Sequence, residues 1–348
     1  MSQRLTNILG YLTLFALLGA IWILFGEDQA RDQGGRGDRT FAGMESRIND
    51  VQVLALVSGE QTVTLERGEA GWLLRERDGY RADDAKIRAV LRGIALSERR
   101  EPKTANAKRF ERIGLGEKAV KVTLLDIDGT DMLTFDAGKR SAVSGDRSLT
   151  YILQQSDTRS WLVTALGEVS ADPAWWLDKA LIDIDEARVC RITLGDAVLT
   201  RALGQSDLAL DSLTAEEKQV PAWKLSEPLR SLAGLSFTDV IALGNPLSET
   251  VANAELVTHD GLRITAGLYD RDGATWAQLA ATFDAELLST GEAGELPAAP
   301  ADGAAEAEAL QGRFRGWIFK LAPYDAETLK RGRSDFIEAQ EADGNTTP

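Results

Sequence analysis

One cysteine and one histidine in 348 residues leave little for thiol or imidazole chemistry. Cys190 has no partner for an intramolecular disulfide, and a zinc site built on thiolates needs several of them. It sits in the alternating run Arg188–Leu194, which reads as a small strand residue, with a reactive thiol between Arg188 and Arg191 as the sharper alternative. His259 alone excludes a histidine-rich metal centre. It precedes the turn signal Asp260-Gly261, and no Gly-x-Ser-x-Gly elbow accompanies it. There is no Walker loop and no Gly-x-Gly-x-x-Gly; Ile113-Gly114-Leu115-Gly116 is too short to cradle phosphate and reads as a turn. Positive charge is in deficit: 39 Lys and Arg stand against 54 Asp and Glu, a net charge of −15. Such a chain is repelled by phosphate backbones and by anionic lipid headgroups. Nucleic acid is therefore not an expected partner. The soluble part should keep off a lipid surface unless the average hides a basic patch.

What is present begins with an apolar run. Residues 8–25 carry no charge, and Tyr11 and Trp22 lie near its two ends. As a helix this run covers roughly 27 Å, close to one hydrocarbon core, with aromatic rings at the interfaces. Residues 1–25 are read as a transmembrane anchor. A cleaved signal peptide is the alternative, but the run is long and no clean small-x-small site follows it. A lipoprotein is excluded, because no cysteine directly follows the run; the one cysteine is Cys190. Arg4 on one flank and Arg31, Arg36 and Arg39 on the other do not decide orientation. Large domains cross largely regardless of flank charge. The expectation is an inner-membrane, single-pass chain with a periplasmic soluble region. Residues 26–47, rich in glycine and mixed charge, read as a flexible linker.

The hydrophobic content of 44% supports a real core. Landmarks recur in one order and suggest a unit present twice. Asp128-Gly129 is matched with Asp272-Gly273, Trp72 with Trp223, Leu91-Arg92-Gly93 with Leu232-Ala233-Gly234, and Trp161 with Trp317. Asp172-Pro173 and Ala322-Pro323 follow the last pair. The expected units are 48–185 and 186–336, with a surface insertion at 289–311 and a disordered tail at 337–348. Within a unit, strands are expected at Val51–Val57, Thr62–Arg67 and Trp72–Glu76. Asp83 should cap a helix bearing Ile87, Val90, Leu91 and Ile94 at helical spacing. A hairpin follows at Ala119–Asp126 and Asp131–Asp136, and further strands at Thr150–Gln154 and Trp161–Ala165. The fold class is α+β: two similar units of mainly antiparallel sheet with one or two helices each.

Candidate chemistry is thin. Asp126, Asp128 and Asp131 form Asp-x-Asp-Gly-x-Asp, a spacing of oxygen ligands that suits calcium. The bidentate Glu of a full calcium loop is missing, and a plain hairpin turn competes with this reading. Asp183, Asp185 and Glu186 are read as solvated surface, although a hydrolase using paired carboxylates would need such groups. The tryptophans at 72, 161, 175, 176, 223, 276 and 317 are expected in the core rather than on a sugar-binding face.

The stretch Trp72-Leu73-Leu74, Asp83 with its helix, Ile113-Gly114-Leu115 before Val120–Leu125, Asp128-Gly129, and Trp176–Leu181 leading into Val189–Ile192 resembles the domain-of-unknown-function 4340 family. The usual proline after the Gly-Leu turn is replaced by Gly116. The resemblance implies a single-pass envelope protein that accompanies ABC-type transporters related to the gliding-motility export system. It implies an auxiliary, non-catalytic subunit with no cofactor, whose partners are a transporter permease or other envelope proteins. An envelope hydrolase with carboxylates in a cleft is the alternative.

Overall fold

A computed structural model describes residues 36–142, 148–244, 249–288 and 302–338. The apolar run 8–25, the segment 289–301 and the tail 339–348 lie outside the described residues. Among the described residues, no helix is long and apolar enough to cross a membrane. The chain forms two compact units: Met1–Glu76 with Ala82–Trp176, and Arg77–Arg81 with Leu177–Pro348.

The first unit contains strands β1 (Val53–Ser58), β2 (Gln61–Gly68) and β3 (Gly71–Leu74). The two-residue strand β4 (Tyr80–Arg81) falls in the short segment that clusters with the second unit. Helix α1 (Asp84–Leu96) follows, then β5 (Arg99–Pro102), β6 (Val120–Leu125), β7 (Asp131–Ala142), β8 (Ser148–Gln154) and β9 (Trp161–Val163). The hydrogen-bonded order is β3-β2-β1-β6-β7-β8-β9-β5, antiparallel between neighbours. Alternation along β1 buries Leu54 and Leu56 completely, and Val63, Leu65, Val122, Leu124 and Phe135 join them. The Asp83 carboxylate caps α1, accepting from the backbone N–H of Ala85 and Lys86, a contact of about 1 kcal/mol. Ile87, Val90 and Ile94 are buried, as their spacing predicts, whereas Leu91 is only half-buried. Gly93 lies so close to the chain after β9 that a Cβ there would stand 2.5 Å from the Ala165 carbonyl oxygen.

The second unit contains β10 (Val189–Leu194), β11 (Ala197–Thr200), β12 (Ala209–Leu210), α2 (Ala222–Ala233), β13 (Phe237–Ala242), β14 (Ala252–Thr258), β15 (Leu262–Arg271), β16 (Ala274–Phe283), α3 (Gly303–Phe314), β17 (Trp317–Leu321) and α4 (Pro323–Leu329). Its order is β12-β11-β10-β14-β15-β16-β17-β13, again antiparallel. Position by position this is the strand order of the first unit, with α1 and α2 at the same point in the chain. Its core includes an aromatic cluster: the Tyr80 ring stands edge-on to Phe237 at 5.5 Å and to Trp317 at 4.9 Å.

That order corrects two of the landmark matches. Asp128-Gly129 joins β6 to β7, so its counterpart is the β14–β15 turn at Asp260-Gly261. Asp272-Gly273 joins β15 to β16, one hairpin later. Both turns use the same Asp-Gly chemistry, and alternating strands on either side look alike, which is why sequence alone misaligns them. Trp72 lies in β3, but Trp223 opens α2 and is 58% exposed. Trp161 and Trp317, by contrast, both open equivalent strands, and Pro173 and Pro323 each start a helical turn after them.

Two expected irregular segments are structured. In the expected linker, the described part is bound to the first unit. Gly37 and Thr40 donate backbone hydrogen bonds to the Arg99 and Ser97 carbonyls, Phe41 and Met44 are buried, and the Phe41 ring meets Phe135 at 4.6 Å, tilted by 40°. The expected insertion 289–311 becomes helical from Gly303. The Asp302 carboxylate caps α3 through the Ala305 N–H, and Ala307 and Phe314 are buried. Alanine and glutamate favour helix, and a buried phenylalanine fixes the face that packs.

Candidate functional site

The aspartates proposed for calcium occupy the β6–β7 loop. The Asp126 Oδ1 accepts from the backbone N–H of Asp128 at 3.0 Å and of Thr130 at 2.9 Å. Its carboxylate thus organises its own loop. Asp131 opens β7 and pairs with Leu125. No group of three or more His, Cys, Asp or Glu able to hold a metal ion occurs among the described residues. Asp185 likewise caps a turn, accepting from the Ala187 N–H at 2.9 Å, and Asp183 and Glu186 are exposed.

The lone histidine belongs to a buried polar cluster in the second unit. His259 is 3% exposed in the β14–β15 turn, and its backbone N–H donates to the Arg188 carbonyl at 2.7 Å. Burial lowers its pKa, the Arg201 charge lowers it further, and Asp260 acts in the opposite sense. Beside it, Arg188 Nη2 donates to Asp260 Oδ2 and to Glu306 Oε2, both at 2.6 Å, while Nη1 donates to Glu306 Oε1 at 2.9 Å. Burial pushes the Asp260 carboxyl up, but hydrogen bonds from Arg188 and Thr258 together with the Arg188 charge outweigh it, and its pKa is lowered. The hydrogen bond to Glu306 leads the causes that hold Arg188 firmly protonated. Gly261 closes this turn at φ 87°, and a Cβ there would meet the Asp284 carbonyl oxygen at 2.7 Å. The cluster clamps α3 to the β14–β15 turn. Sequence reading missed it because Glu306 lies 118 residues from Arg188.

Cys190 lies half-buried in β10, its thiol 3.4 Å from the Val257 carbonyl oxygen. Burial raises its pKa, against the charges of Arg191 and Arg201. A thiol so held is protonated and a weak nucleophile.

An open concavity lies in the first unit. A groove of about 650 Å³ runs between residues 45–49 and the outer face of α1. Ile48, Ala85, Ala89, Leu91, Ala95 and Leu96 supply its apolar lining, with Arg88, Arg92, Glu45 and Asn49 at polar positions.

The family model described as "Domain of unknown function (DUF4340)" matches residues 72–256, more than half of the chain. The chain belongs to this family. The DUF4340 match starts in β3 and ends in β14, so it takes in α1 and the aspartate loop of the first unit, and Arg188 of the second. Glu306 lies beyond it. No curated protein and no solved structure matches the chain.

Proposed function

We propose that this DUF4340 protein is a membrane-anchored, extracytoplasmic auxiliary subunit of an ABC-type transport system that acts by binding. The uncharged run 8–25 supports the anchor. Membership of the family rests on the match over residues 72–256, and the partner class rests on what the sequence resemblance implies. The shared strand order supports reading the soluble region as one unit occurring twice. The observation that carries the non-catalytic reading is how the polar clusters are spent. The Arg188 cluster joins structural elements through mutual ion pairs, and the Asp126 and Asp185 carboxylates accept from nearby backbone N–H groups.

The test is affinity purification from native membranes with identification of what accompanies the chain. A parallel chain has residues 8–25 replaced by an unrelated apolar span of equal length. Gly10, Ala16, Gly19 and Ala20 in the native run permit close helix approach. The proposal expects a transporter component with the native run and less of it with the substitute. Absence of any transporter component with the native chain contradicts it.

A further inference from the structure

The acidity of the chain is not evenly spread. Residues 36–176 carry 22 Lys and Arg against 22 Asp and Glu, whereas residues 177–348 carry 15 against 29. The first half is therefore not repelled by an anionic surface. Within it, the groove along α1 holds two arginines one helical turn apart. Like charges at that spacing destabilise a helix, so the fold does not ask for this pair. Among the described residues, Arg92 makes no hydrogen bond or ion pair, and Arg88 donates only to the Asp84 carbonyl at 3.1 Å. The one lining carboxylate, Glu45, stands 3.5 Å from Arg39 Nε. Asp84, on the same helix, directs its carboxylate to the Trp72 N–H at 3.1 Å. Arg47, next in the chain to the lining Ile48, is exposed.

We propose that this groove seats headgroups of an anionic lipid surface, with Arg88 and Arg92 meeting the phosphates and the apolar lining meeting the upper acyl chain. The proposal rests on the membrane-anchored reading above. Chain length agrees with it: Phe25 and Arg36 are eleven residues apart, at most roughly 40 Å even fully extended. The groove-forming residues 45–49 begin nine residues after Arg36. Arginine is suited to the task because its planar fork meets phosphate oxygens in pairs.

The experiment places the full chain in lipid nanodiscs of phosphatidylcholine alone or mixed with phosphatidylglycerol, and follows amide hydrogen exchange. Exchange over residues 44–50 and 84–96 is expected to slow about threefold or more in the anionic discs. The difference should vanish in high salt and in the double variant Arg88→Gln, Arg92→Gln, whose melting temperature should match the parent. Glu45→Gln should enlarge it. Equal exchange in both discs overturns the proposal while leaving the anchor intact. A chain that enters neither disc overturns the anchored reading and this proposal with it. In a third arm the discs are made from native membranes; protection there that is absent from the phosphatidylglycerol discs overturns the lipid assignment in favour of an acidic protein partner.

Discussion

Arg188 and Glu306 meet through two hydrogen bonds, Nη1 to Oε1 at 2.9 Å and Nη2 to Oε2 at 2.6 Å, across 118 residues of sequence. The same guanidinium holds Asp260, so one buried cation pairs with two carboxylates. Removing it leaves a buried carboxylate uncompensated. Arg188→Ala should therefore cost about 3–5 kcal/mol in denaturant unfolding. Replacing Arg188, Asp260 and Glu306 together by apolar residues should recover most of that loss. A cost below about 1 kcal/mol for Arg188→Ala, typical of exposed pairs, would contradict the clamp.

The clamp separates two halves of the Ala/Glu/Gly/Pro-rich stretch. Shortening 289–301 should change stability by less than about 1 kcal/mol, because loop closure depends weakly on length. Deleting 303–311 removes the Glu306 ligand and the buried Ala307. It should lower the melting temperature of the second unit strongly. Scanning calorimetry of the two deletions checks the contrast, and equal effects would contradict it.

Burial of His259 should give stability a pH dependence whose sign follows from its lowered pKa. Its unfolded pKa is about 6.5. The folded value is lower, chiefly through burial. The unfolded chain thus binds the proton first as pH falls. Stability from this group is full above about pH 6.5 and declines as pH drops toward the folded value. Asp260, also lowered, adds a second loss further down, below the ordinary carboxylate value of about 4. Melting temperatures of the parent and of His259→Gln at several pH values between about 7.5 and 5 test this. The parent should lose stability over that range and the variant should lose less; parallel curves would contradict the assignment.

Asp126 should matter to its loop and not to calcium. Asp126→Ala removes an acceptor from two backbone N–H groups and should cost about 1 kcal/mol. Added calcium should leave the melting temperature of the parent unchanged. A calcium-dependent rise that disappears in Asp126→Ala would restore the metal reading.

Tryptophans should divide by burial. Trp176 is fully buried, with its indole N–H donated to the Ser170 carbonyl at 2.7 Å, and its replacement by Ala should cost about 3–5 kcal/mol. Trp223→Ala, on the exposed first turn of α2, should stay within about 0.5 kcal/mol. Equal costs would mean that Trp223 is covered in the assembled protein.

Local chemistry made part of this fold legible. Asp83 before a helical apolar period fixed α1, and alternation fixed the β6–β7 hairpin. Trp161 and Trp317 marked equivalent strands because each is followed by a proline-led turn. Asp128-Gly129 and Asp272-Gly273 misled, because turn chemistry reports a tight turn and not which hairpin it closes. Phe41 and Met44 were hidden by charged and glycine neighbours, and only packing shows that they belong to the core. The clamp was invisible for a different reason: no local pattern marks Arg188, Asp260 and Glu306 as neighbours. The groove was hidden by the averaged charge, which concealed a neutral first half.

The most direct test of the tethered-subunit account is in-cell crosslinking of the full chain in its native membrane, read by mass spectrometry. The account predicts crosslinks from the region 1–35 or from the soluble units to a transporter permease or its companion envelope proteins, recovered in stable proportion to the chain. Crosslinks to soluble cytoplasmic proteins alone, with the chain absent from the membrane fraction, would contradict it.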